Sequence, residues 1–211
     1  MTRTQSLRTQ VLGMASAAVV AATAGCGAAT AGTTPGTAMG AAMGQPASAV
    51  IAGWPQTSRE VAQTIIQKYG APSEATASML VWHNNGPWKR TIVYRDTVPH
   101  HFPMPHPDLL EQVVDYRAPL DRYDDLAMYD GSVIVERTKG EISARCDKEG
   151  ANFLALNLAN EIATGRRTVE DARRMYGEQV TMMKNGQMTP YTSGLMFTPP
   201  PSGNDPDRPI M

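Results

Sequence analysis

Cysteine is scarce in this chain. Its 211 residues hold only Cys26 and Cys146, which excludes a disulfide framework and a four-thiolate zinc site. Aromatic residues make up 6% and are scattered, so no stacking platform for single-stranded nucleic acid is present. Charge of one sign is not in excess either. Nineteen Lys and Arg balance twenty Asp and Glu, and a polyanion is not an expected partner. The phosphate-loop, dinucleotide, nucleophile-elbow and H-E-x-x-H patterns are all missing. Nothing in the sequence therefore directs the chain to an enzymatic reaction.

What is present begins at the N-terminus. Arg3 and Arg8 precede a short apolar run from Val11 to Ala22, and no charged residue follows until Arg59. A basic start, a run too short to span a bilayer and small residues after it form the pattern of a secretory signal peptide. The small residues end in Thr23-Ala24-Gly25-Cys26. This resembles the lipobox of exported bacterial lipoproteins, which implies a diacylated Cys26 as the mature N-terminus. Ala22-Thr23-Ala24 also fits ordinary signal-peptidase cleavage, giving a soluble secreted or periplasmic protein as the alternative.

Composition divides the rest. Residues 1–25 read as signal peptide, and 26–56 as a lipidated cysteine with a flexible Ala/Gly-rich tether, too poor in large side chains to offset chain entropy. Residues 57–185 read as one domain, expected to fold without its flanks. Residues 186–211 carry six prolines and read as a tail or strap, with Met196 and Phe197 able to pin it.

Inside the domain, Thr57-Ser58-Arg59-Glu60 has capping-box form before Val61, Ile65, Ile66 and Tyr69 at helical spacing, with Gly70 and Pro72 as the stop. Ser78–His83 and Trp88–Arg95 flank Asn84-Asn85-Gly86-Pro87, the signature of a hairpin. Thr97 to Pro107 reads as a loop, and 108–116 and 120–128 as short helices or irregular segments. Ser132–Arg137 and Glu141–Cys146 form a second hairpin about Thr138-Lys139-Gly140. Asp147 is placed to cap a helix with an apolar stripe from Ala151 to Ile162. Thr168 with Asp171 is placed to start another, running to Asn185-Gly186. Without strand–helix–strand alternation, the class is α+β: an antiparallel sheet built from two hairpins, with helices packed on one face.

One feature carries metal chemistry. All four histidines lie between 83 and 106: His83, His100, His101 and His106, with Met104 and Asp108 nearby. On an extended chain His100, Met104 and His106 share a side, while His101 faces away. That set, with His83 reaching in from the hairpin, would suit a copper-like transition metal, no thiolate being expected near it. The alternative is a proline-stiffened surface loop. Cys146, at a strand end before a helix, reads as core, with a reactive thiol as the alternative. The acidic run Asp121, Asp124, Asp125 and Asp130 lacks the alternation of a calcium loop.

Tyr69-Gly70-Ala71-Pro72 after a helix, then strands holding Trp82 and Val93-Tyr94-Arg95, look like half of the small lipoprotein of the outer-membrane barrel-assembly machinery. The likeness covers about 40 residues and implies a fold analogy alone. Taken together, the expectation is a lipoprotein anchored on the periplasmic or outer face of the cell envelope, acting by binding a protein partner there. Metal or small-ligand binding at residues 100–106 is the alternative. Convergence of the histidines would favour the metal, and an exposed apolar patch around Trp82, Trp88 and Tyr94 the protein partner.

Overall fold

The computed structural model describes residues 46–201 and 207–211. The lipobox-like segment, Cys26 and most of the tether lie outside them. Two helices come first, the short α1 (Ala47–Ile51) and the longer α2 (Gln56–Tyr69). Four strands follow: β1 (Glu74–Ala75), β2 (Met79–Asn85), β3 (Trp88–His100) and β4 (His106–Asp115). A 3-10 turn at Leu120–Arg122 leads into α3 (Tyr123–Tyr129), then β5 (Val133–Glu136) and β6 (Glu141–Cys146). Three helices close the chain: α4 (Glu149–Ala163), α5 (Val169–Lys184) and α6 (Pro190–Ser193). The strands form one antiparallel sheet in the order β1-β2-β3-β4-β6-β5. The class is α+β, as expected.

Both expected hairpins are in place. Gly86, at φ +60°, and Pro87 make the first turn, where a left-handed residue matches the twist of the strands. The stretch beyond Arg95 differs from expectation. β3 runs on to His100 and β4 starts at His106, so the expected loop shrinks to the five residues 101–105, and 108–115 is a strand. Pro99 and Pro107 are opposite each other in this arm. β6 pairs with β4 only from Leu110 onward, so the missing N–H of Pro107 faces no partner strand on that side. A register shift between Val93 and Val98 lengthens β3 relative to β4. Ser58 on α2 donates to the Arg95 carbonyl at this bulge (2.6 Å).

The expected capping box is absent. α2 starts at Gln56 with Pro55 at its N-cap and no side-chain cap, so Thr57 lies inside the helix, and buried Ser58 is used across the core. Asp147 likewise does not cap α4, whose N-cap is Lys148. Instead it accepts from the Cys146 thiol (3.5 Å). Thr168 caps α5 as expected, accepting from Asp171 N (3.2 Å).

The domain also extends beyond 57–185 on both sides. Ile51 and Trp54 are buried with Ala62, Ile65, Leu80, Trp82, Val93 and Leu110, and Trp54 donates to Ala77 O. Burial of that indole pulls the end of the expected tether into the fold. At the other end Tyr191, Leu195 and Phe197 pack on the main core. Asn157 of α4 donates to the carbonyls of Tyr191 and Gly194 and accepts from Met196 N at 2.7 Å. Truncation to 57–185 would remove all of these contacts.

α4 is buried on nearly all sides and is the pillar of the main core. At its first turn Glu149 receives Trp88 Nε1 (2.7 Å), Tyr69 OH (2.5 Å), Gln112 Nε2 (3.0 Å) and Lys68 Nζ. Burial works to raise its pKa, but these four donors prevail and hold the carboxyl below its ordinary value. One carboxylate thus ties α2, β3 and β4 to α4.

Candidate metal centre

The extended arm of β3 and β4 positions the histidines. His100 and His106 are cross-strand partners at its last rung, which places their side chains together on one face. Their ring centroids are 4.9 Å apart. Asp108, two residues further along β4, lies on the same face. One ligand atom from each of His100, His106 and Asp108 falls within 4.8 Å of the others. His106 Nε2 stands 3.2 Å from Asp108 Oδ1, and His100 Nδ1 stands 3.5 Å from Asp108 Oδ2. Asp108 is 2% exposed, and its Oδ1 accepts no well-directed hydrogen bond.

His106 is held by its other nitrogen, Nδ1 lying 2.8 Å from Met104 O, the kind of back-side support that fixes the ring of a metal-ligating histidine. His100 turns Nε2 towards the Asp130 carboxylate, 3.6 Å from its Oδ1. Ser132 Oγ donates to Asp108 Oδ2 and lies 3.1 Å from His100 Nδ1, while Ser132 N donates to Asp130 Oδ1. The turn between α3 and β5 therefore buttresses the arm.

The buried carboxylates of the site need positive charge beside them, and the imidazoles lie where it is needed. Asp108 and Asp130 are both nearly inaccessible, and buried carboxylates are costly without positive charge close by. The Asp108 carboxylate, with the adjoining Cys146 and the Met104 carbonyl, pushes His106 up to about 11 against the opposing effect of burial. Burial pushes the Asp130 carboxyl up, opposed by the Ser132 amide and His100. It also pushes the Cys146 thiol up, an effect only partly offset by His106.

The four residues expected from sequence separate here. His100 and His106 come together. Met104 does not: its sulfur points to Lys184 Nζ (3.8 Å), and only its carbonyl serves the site. His83 is on β2, paired with Glu74 at 2.7 Å. Asp108 takes the place expected for the thioether. Asp130 and Ser132, both outside the sequence expectation, support it from the turn after α3. The expectation that no thiol is near also fails, because buried Cys146 lies against His106. Asp108 could be read beside the histidines in sequence, whereas Asp130 arrives through a strand order that no local pattern reveals.

The tip of the arm, residues 101–105, folds against α5. Phe102 lies under the Arg173 guanidinium at 3.8 Å and against Tyr176. Between tip, β6 and the two helices is a cavity of about 450 Å³, with His106 and Cys146 in its wall. Trp82 and Trp88 are buried, and Tyr94 is hydrogen-bonded to Glu111, so these three do not make an exposed apolar patch. No family model, curated protein or solved structure matches the chain.

Proposed function

We propose that this is an exported, lipid-anchored module that binds a divalent transition metal through His100, His106 and Asp108. The observation that carries the metal reading is the three-residue cluster itself, with His106 Nδ1 held from behind by Met104 O and His106 Nε2 facing a buried Asp108 oxygen at 3.2 Å. Two imidazoles and a carboxylate are borderline donors, fitting zinc, iron(II) or copper(II) better than the thioether-containing copper set expected from sequence. The envelope address rests on Arg3, Arg8, the apolar run and Cys26. Among the described residues no helix is long and apolar enough to cross a membrane.

Partner binding has lost the anchors it called for, since Trp82 and Trp88 are committed to the core. Calorimetric titration of zinc into the purified chain at neutral pH tests the reading. One equivalent should bind to wild type and to His83→Ala, and none tightly to the His100→Ala/His106→Ala double variant. Equal uptake by all three would refute it.

A further inference from the structure

Three protein ligands leave a zinc-type ion with an open coordination position, the arrangement of sites that bind an exogenous molecule rather than of structural sites. His106 belongs both to the ligand set and to the wall of the 450 Å³ cavity, whose size is that of a small-molecule site. The remaining wall has two characters. Pro103, Pro105, Tyr176, Val180 and Met183 are apolar, whereas Asp147, Lys148 and Lys184 are charged. Lys148 is 3.5 Å from Asp147, and Lys184 Nζ lies beside the Met104 sulfur.

We propose that the metal at His100, His106 and Asp108 keeps its open position toward this cavity, and that the cavity takes a small molecule with an anionic, metal-binding head of carboxylate type and a short apolar body. The proposal rests on the metal reading and adds the ligand class. The metal and Lys184 favour an anionic head, Lys148 being paired with Asp147, and the proline, tyrosine and methionine walls favour a body of a few carbons. Removing that body from water is what would separate a good ligand from a bare anion.

The test uses the full chain loaded with cobalt(II), whose visible bands report coordination, and two probes, acetohydroxamate and hexanohydroxamate. Both should change the cobalt spectrum, and the longer probe should bind at least tenfold more tightly. Val180→Trp, which fills the cavity away from the ligand set, should keep cobalt affinity and lose the chain-length preference. Met183→Trp serves the same purpose should the first variant fold poorly. Bound cobalt whose spectrum neither probe alters overturns the proposal, as does a chain-length preference that survives both substitutions. Failure of the chain to take up cobalt at all instead overturns the metal reading.

Discussion

Asp130 belongs to no ligand set, yet its carboxylate faces the back of His100. Partners of this kind orient the ring and raise its basicity, and their loss costs about 10–100-fold in metal affinity. Asp130→Asn should weaken zinc binding by that amount in a competition titration while leaving the stoichiometry at one. Glu149 is a different kind of buried acid, serving the fold. Its pKa is held below the ordinary 4.5, so the folded state binds fewer protons than the unfolded chain. The stabilisation is present above pH 4.5 and is lost as the pH falls through the lowered folded value. Glu149→Gln should be less stable at pH 7, by on the order of 1–3 kcal/mol. It should also lose less stability than wild type on going to pH 3, as followed by urea unfolding at each pH.

At the level of elements, the turn residues made both hairpins readable, since Asn85-Gly86 and Lys139-Gly140 need left-handed glycines that the structure supplies. β4 was not readable. Leu109, Leu110, Val113 and Val114 are all buried, so both faces are covered and the alternation that marks a half-exposed strand is absent. Pro107 added a false loop signal, harmless in the structure because β6 has not yet joined at that point. The two misread helix starts have different causes: α2 begins before Thr57, with Ser58 reaching across the core to Arg95 O, whereas Asp147 accepts from the adjacent Cys146 thiol. The C-terminal strap gives a sharp test of element-level packing. Asn157→Ala removes three hydrogen bonds to it and should cost about 3 kcal/mol. Trp54→Ala at the other end should cost about 3–5 kcal/mol. Thermal melts of both variants, and of a 57–185 fragment expected to melt below either, would check this.

Over the whole molecule, the sequence indicated the α+β class and the two histidines, but not the boundaries of the domain or the other residues around those histidines. Both gaps arise from contacts between distant segments: Ile51 and Trp54 with the sheet, Asp130 and Ser132 with the β3–β4 arm. The address proposed for the chain is testable at the same scale. Cys26→Ser should abolish acyl labelling and membrane retention, and unchanged fractionation would refute the anchor.

In the proposed site a metal joins His100 to His106 and leaves the other histidines alone. Long-range proton–nitrogen NMR of the four imidazoles, with and without one equivalent of zinc, tests it most directly. Large nitrogen shifts are expected at His100 Nδ1 and His106 Nε2, with His83 and His101 unmoved. Equal small shifts at all four rings, or shifts confined to His83 or His101, would contradict it.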